Sequence, residues 1–290
     1  MNTSGEHDQD AITAEEIAGE TVIPAKGSSS GEKRPNAFTE LMSRKQAKNT
    51  SSQDQKSRKS TTVGTRVFPG AHGLGAYIAA PERFGKDRVI EWDDDFVVIH
   101  DLYPKAFIHC LILPRDPEKT LQHPFDAFED QEFLQKCKAK LEKVKKELVA
   151  SELRRRLGES SKQEQARNEA MDSDDLIQPA DLPPGRDWTQ GLLTGIHAHP
   201  SMRHLHIHVL SPDRYSPCLK HRNHYNSFST PFLVPLDAFP LAQDDPRRHP
   251  GKEGYLNRDF VCWRCDLNFG NRFEKLKAHL AEEFEEWKKE

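Results

Sequence analysis

No apolar run in this chain approaches the ~20 residues a membrane-crossing helix needs, and Met1 to Asp10 hold no apolar stretch of the secretory-signal kind. Cysteine is scarce and odd in number: Cys110, Cys137, Cys218, Cys262 and Cys265. That argues against a disulfide framework and for a reducing, intracellular compartment. Apolar residues are thin, at 35% hydrophobic against 30% charged over 290 residues. Such a chain is too polar to be packed from end to end, so sizeable unpacked pieces are expected beside one ordinary domain and a small one. No charge sign dominates either. The formal net charge is −4, so bulk charge does not mark a nucleic-acid binder, and local clusters must be read one by one.

The first of these is residues 1–65, rich in Ser, Gln, Lys, Glu and Thr and poor in aromatics. It cannot bury enough apolar surface to offset chain entropy and is expected to be a disordered basic tail. Lys33, Arg34, Arg44, Lys45, Lys48, Lys56, Arg58 and Lys59 stand against only Glu40 and Asp54. The run reads as a solvated tail, a nuclear-import signal or a loose phosphate-binding arm. Within it, Phe38, Leu41 and Met42 fall at helical spacing, either an accidental cluster or a short motif that docks on a partner protein.

Residues 66–245 read as the main domain. Tyr77 to Phe84 suits a short helix. Phe96–Ile99 and Phe107–Leu113, separated by a proline-containing turn, predict an antiparallel hairpin. Over residues 125 to about 156, Phe133, Leu134, Cys137, Leu141, Val144 and Leu148 recur at three- and four-residue steps, which predicts an amphipathic helix on a sheet. Residues 154–186 read as a polar insertion, a flexible loop over the site or, preferred here, filler. Ser216 to Phe228 is basic, aromatic and amide-rich. It suits a surface loop or, preferred because of what precedes it, contact with a phosphate backbone and bases.

What precedes it is His204-Leu205-His206-Ile207-His208-Val209-Leu210. Strict alternation predicts a strand with Leu205, Ile207 and Val209 on one face and three imidazoles on the other, about 6–7 Å apart. Three imidazoles on one face are costly for packing alone, since each needs hydrogen-bond partners or water. Residues 246–290 read as a small metal domain. Cys262 and Cys265 are followed by a helical pattern (Phe273, Leu276, Leu280, Phe284, Trp287) carrying His279 and Glu283 one turn apart. The C-x2-C-x13-H-x3-E spacing suits structural zinc, with Glu283 as fourth donor and Glu282 or water as fallbacks. Metal also explains how so few residues fold with so small a core. No redox or nucleotide cofactor is expected.

The alternating motif resembles the histidine-triad superfamily over roughly residues 66–228, less the insertion. Ser201, five residues before His206, His-Asp-x-x-Pro-Lys-Ala at His100 to Ala106, and His109 match further family positions. His197 in His-Ala-x-Pro-Ser-Met, Ser-Pro-Cys-Leu-Lys at 216–220, His224 to Phe228 and the finger together look like the aprataxin branch, with a fungal-type C2HE finger. The resemblance implies an α+β fold: an antiparallel histidine-triad sheet with packed helices, plus a small zinc-finger domain. It implies a hydrolase that removes AMP from the 5′-phosphate of abortive ligation products in single-strand break repair. His206 would attack the AMP phosphorus, His208 and Ser201 would hold phosphoryl oxygens, His204 would shape the pocket, and His197 would serve the leaving phosphate. Asp101 would bind the ribose, with His109 in support. Lys105, Lys220 and His224 would meet DNA, nicked or 5′-adenylated, with RNA–DNA junctions included. AMP would be the product, a repair protein a partner of the tail, the membrane no partner, and the nucleus the location, with or without a cytoplasmic pool.

Two other functions fit parts of the pattern. A generic histidine-triad hydrolase or phosphoramidase of small adenylates would use the same pocket, with finger and basic loop as bystanders. A non-enzymatic nucleic-acid adaptor would use the histidines as a metal cluster, but no adjacent carboxylate or thiolate is visible and the Ser201-to-His206 spacing goes unexplained.

Overall fold

Pro81 has no amide hydrogen to return to Tyr77, and it ends the first helix early. The result is α1 (Gly75–Ala79) followed by a separate 3-10 turn at Pro81–Arg83, rather than one helix to Phe84. The Tyr77 and Phe84 rings still meet, 4.4 Å apart. The computed structural model describes residues 73–173 and 178–290; the basic tail and the Phe38–Leu41–Met42 cluster lie outside the described residues.

Strands β1 (Val89–Trp92), β2 (Phe96–His100) and β3 (His109–Pro114) form an antiparallel meander. In the expected hairpin Phe96 pairs with Pro114 and His100 with Cys110. The period-2 pattern sorts side chains to two faces. Phe96, Val98, Cys110 and Ile112 join the main core, while Val97, Ile99, Leu111 and Leu113 pack with Leu74 beneath α1. Each such fully buried aliphatic side chain contributes about 1.5–3 kcal/mol. The second strand starts two residues later than the apolar run because side chains from a distant segment take the Phe107 and Ile108 amides (Asp213 Oδ2, 2.8 Å; Ser211 Oγ, 3.0 Å).

Asp130 caps α2 (Gln131–Lys143), its carboxylate accepting from the Glu132 and Phe133 amides. A π-helical turn at Val144–Val149 then leads into α3 (Ala150–Leu157). That turn takes one extra residue, so Val149 follows Val144 into the core and the expected Leu148 is only partly buried.

The polar stretch after α3 is not filler along its described length. Ser161 caps α4 (Lys162–Asp172). The buried Glu164 accepts from Trp188 Nε1 at 3.0 Å and pairs with Arg154 at 3.0 Å. Arg186 lies over the rings of Trp188 (4.1 Å) and Trp287 (4.7 Å) and donates to the Trp287 carbonyl. The Lys162 amide donates to the Lys289 carbonyl. The stretch therefore clamps the end of the chain.

Next come β4 (Leu193–His197), β5 (Ile207–Leu210), α5 (Arg222–Ser229) and β6 (Leu233–Val234). Among the described residues the sheet has six strands in the order β1-β2-β3-β5-β4-β6, antiparallel throughout. A Cβ at Gly195 would sit 2.5 Å from the Val234 carbonyl oxygen, so the glycine allows β6 to dock. The finger is β7 (Phe260–Val261), β8 (Asn268–Gly270) and α6 (Phe273–Trp287). Its helix is shared between two cores. Leu276 and Leu280 pack with Tyr225, Phe260 and Phe269, whereas Phe284 and Trp287 belong to the main core. All described residues lie in one compact unit, so the boundary expected at residue 245 does not separate two bodies. Among them, no helix is long and apolar enough to cross a membrane.

Candidate active site and metal centre

Regular strand begins only at Ile207, so the histidine run is half strand and half entry loop. The alternation nevertheless holds: Leu205, Ile207 and Val209 enter the main core, and His206 and His208 line a pocket with Asp101, Tyr103, Lys105, His109, His197, Ser201, Met202, Ser227 and Phe228. Four imidazoles cluster there. The His208 ring centroid is 4.4 Å from that of His197, 4.9 Å from His206 and 5.2 Å from His109. Phe228 forms an apolar wall against His109, His197 and His208. His204 stands apart. Its ring is not in the pocket lining and packs over Gly75, where a Cβ would lie 2.8 Å from its Nε2. It reaches the site through its main chain, because the His204 carbonyl is 2.7 Å from His206 Nδ1.

These contacts fix the tautomers. A carbonyl can only accept, so His206 Nδ1 carries the proton and Nε2 keeps its lone pair. Two groups face His109 Nδ1: the Lys105 amide at 3.2 Å and Asp101 Oδ2 at 3.4 Å. The amide can only donate, so Nδ1 is the bare nitrogen and the proton sits on Nε2, 3.0 Å from His208 Nδ1. His208 then presents Nε2–H. That atom and His197 Nε2 are buried with no hydrogen-bond partner among the described residues, as is Ser227 Oγ. Three polar atoms left unsatisfied around one pocket are what a site waiting for phosphoryl oxygens needs.

Burial sets the charge state. It lowers His206 below the ordinary imidazole range, His197 and His208 well below it, and His109 to about 4; the Lys105 ammonium adds to the effect at His109, His197 and His208. All four rings are neutral at pH 7. A folded-state value below the unfolded 6.5 means that the unfolded chain binds more protons between the two. The associated stability is therefore complete above about pH 6.5 and drains away as pH falls towards 4. His109 alone accounts for about 3 kcal/mol over that window. Urea melts at pH 7.5, 6 and 5 should show stability falling monotonically; equal midpoints at pH 7.5 and 5 would contradict the neutral-imidazole site.

Asp101 is partly engaged, its Oδ1 accepting the Tyr103 amide at 2.7 Å. Asp101, His109 and His208 offer ligand atoms within 4.8 Å of one another, so a carboxylate does stand beside the histidines, contrary to what spacing suggested. The same imidazole nitrogens are already bonded to each other, however. Lys220 and His224 are not in the pocket lining. Lys220 is exposed, whereas His224 is buried with Nδ1 accepting the Lys220 amide at 3.1 Å, so His224 builds the loop that presents Lys220 rather than reaching a polymer itself. The expected contact run is mostly interior: Tyr225, Asn226 and Phe228 are buried, and Asn226 Nδ2 donates to the Leu256 and Arg258 carbonyls beside the finger. Tyr103 carries no signal in the sequence motifs, and Met202, Ser227 and Phe228 stand within the matched motifs without an expected site role. Ser227 and Phe228 were hidden inside that basic run.

The second cluster is Cys262, Cys265, His279 and Glu283, all donor atoms within 4.8 Å. His279 Nε2 lies 3.1 Å from Cys265 Sγ and 3.2 Å from Glu283 Oε1. Two sulfurs, one imidazole nitrogen and one carboxylate oxygen converging from a knuckle and a helix fit tetrahedral zinc. Glu283 is the acidic residue in this cluster; Glu282 is exposed outside it. Arg264 Nη1 binds the other carboxylate oxygen, Glu283 Oε2, at 2.6 Å and leaves Oε1 towards His279.

Comparison with known proteins agrees with both centres. Family models of a HIT domain and of a C2HE / C2H2 / C2HC zinc-binding finger match residues 84–215 and 229–286. The finger match begins before residue 246, within the segment that packs on the main core. The chain is 33% identical over 219 residues to an aprataxin-like protein of Schizosaccharomyces pombe, covering 74% of this chain and 81% of that one. It is 33% identical over 218 residues to an aprataxin-like protein of Saccharomyces cerevisiae, covering 73% and 95%. A crystal structure of the aprataxin ortholog Hnt3 in complex with DNA matches at TM-score 0.57 and 30% identity, over 75% of this chain and 96% of that one. With a histidine-triad pocket, a C2HE finger and these relatives, the chain belongs to the aprataxin family.

Proposed function

We propose that this protein is a DNA-repair hydrolase that removes AMP from 5′-adenylated DNA ends. The observation that carries the proposal is the opposed pair of tautomers: a bare Nε2 on His206 beside a hydrogen-bearing Nε2 on His208 in one pocket. The adenylate phosphorus is shielded by anionic oxygens, so a neutral nucleophile and fixed donors suit it. His206 Nε2 attacks the AMP phosphorus and a P–N bond forms. The P–O bond of the pyrophosphate breaks, and its electron pair leaves with the 5′-phosphate of the DNA. Water then attacks the same phosphorus, the P–N bond breaks with its electron pair returning to His206 Nε2, AMP departs, and the water proton passes to solvent, restoring neutral His206.

His208 Nε2–H, Ser201 and Ser227 stabilise the oxygens of the transferring group. His197, held neutral by burial, donates a hydrogen bond to the leaving phosphate rather than delivering a full proton. A phosphate leaving group tolerates this because it is stable as an anion. Lys105, in the pocket wall, and Lys220, on the exposed loop, neutralise the DNA 5′ side, and Asp101 accepts from the ribose. DNA as partner is supported by the solved Hnt3 complexes with DNA. Zinc at Cys262, Cys265, His279 and Glu283 is structural and takes no part in the chemistry.

The test compares release of radiolabelled AMP from an adenylated nick and from a small adenylate. The proposal predicts kcat/KM at least about 100-fold higher on the nick, because contacts remote from the phosphorus contribute to transition-state binding. Equal values on the two substrates would replace it with a general adenylate hydrolase.

A further inference from the structure

One residue beyond the zinc-site donor Glu283, Phe284 points away from the metal and into the main core. Its ring stacks on Tyr215 (4.9 Å between centroids, 22° between planes) and meets Phe107 at 5.3 Å. Those two residues are already tied together beneath it. The amides of Phe107 and Tyr215 both donate to Asp213 Oδ2, each at 2.8 Å, and Asp213 is fully buried. On either side, Ser216 Oγ donates to the Pro104 carbonyl at 2.5 Å and the Ile108 amide to Ser211 Oγ at 3.0 Å. The turn from Pro104 to Ile108 is thus stapled onto residues 211–216, and the finger helix covers the staple.

That turn carries Lys105, whose side chain lines the pocket and whose amide fixes the tautomer of His109, which in turn fixes that of His208. A shift of the turn by a few tenths of an ångström lengthens a 3.2 Å bond past useful strength. It would free His109 to turn its proton towards Asp101, and His208 would then no longer present a donor to the phosphoryl group. Misplacement on that scale is costly to catalysis even from a distance.

We infer that Phe284 and Tyr215 are positioning residues for the chemical step: the finger helix holds the Lys105 turn in catalytic register, beyond any hold the finger has on DNA. The inference rests on the hydrolase assignment above.

The experiment measures single-turnover AMP release at saturating adenylated nick, and the Kd for the same DNA, with zinc-loaded full-length protein. Tyr215→Ala suits the purpose because Tyr215 is 42% exposed and its loss leaves the core intact. Phe284→Leu removes the ring and keeps apolar volume at a buried position that cannot touch DNA. Both are expected to lower the rate constant about tenfold with Kd within twofold and zinc at one per chain, and Tyr215→Phe, which keeps the stack, is expected to restore the rate. A changed Kd with an unchanged rate constant would overturn the inference, as would a Tyr215→Phe variant as slow as Tyr215→Ala. Absence of AMP release by the wild-type protein would instead refute the hydrolase assignment, before any variant is compared.

Discussion

His206→Ala is expected to lower AMP release from a 5′-adenylated nick by at least about 10⁴-fold, a loss of about 5–6 kcal/mol of transition-state stabilisation. Neither of the other two histidines in the alternating run can replace it. His208 Nδ1 is occupied by His109 and its Nε2 carries hydrogen; the His204 ring lies outside the pocket lining. DNA affinity should stay within about threefold, because His206 is 1% exposed and offers almost no surface to a polymer. The variant should fold, losing one hydrogen bond to the His204 carbonyl, a net cost of about 1 kcal/mol. Binding assays on the adenylated nick beside the release assay separate the two effects. Release within tenfold of wild type would remove His206 from the nucleophile's role.

The second large effect is expected from the finger. Cys262→Ala removes a sulfur from the four-donor cluster and should abolish zinc binding. The finger's own core is small: Phe260, Cys262, Phe269, Leu276 and Leu280 are its buried members, packed against Leu219 and Tyr225 from outside it. Metal binding supplies the folding free energy of such units, so the melting temperature should fall by about 10 °C or more. DNA affinity should weaken as well. Spacing alone would leave turnover of a small adenylate little changed. The Phe284 contacts with Phe107 and Tyr215 predict instead that it falls too. Zinc content by atomic absorption, melting curves and turnover on both substrates check the three parts. A zinc-free protein that melts at the wild-type temperature would contradict the structural role.

Local pattern marks β2, β3 and β5, the amphipathic helix and both motifs, because alternation and three–four periodicity are properties of adjacent residues; the other strands were not legible that way. The C2HE donors converge where their spacing placed them, since a knuckle and one helical turn leave little freedom. Long-range consequences were less legible. Asp213 and Ser211 reach back about a hundred residues to hold the Phe107 and Ile108 amides, and nothing near them in sequence announces it. His224 looked like a basic surface contact and is buried, because a helix formed where composition suggested a loop. The insertion did carry a signal: Ser161 and Glu164 stand at capping-box spacing. Its polar composition concealed that Glu164 is buried beneath Trp188. The extra residue of the π-helical turn, which moves Val149 inward in place of Leu148, is likewise a tertiary choice that periodicity does not encode.

The central claim is that the lone pair on His206 Nε2 takes the adenylyl group. Reacting the protein with a 5′-adenylated nick, quenching at alkaline pH where a phosphoramidate survives, and mapping the adduct by peptide mass spectrometry tests it directly. The account predicts AMP on His206 and at most one per chain, with a free 5′-phosphate formed for every adenylyl group captured. AMP on any other side chain, or product formed with no adduct on the pathway, would contradict it.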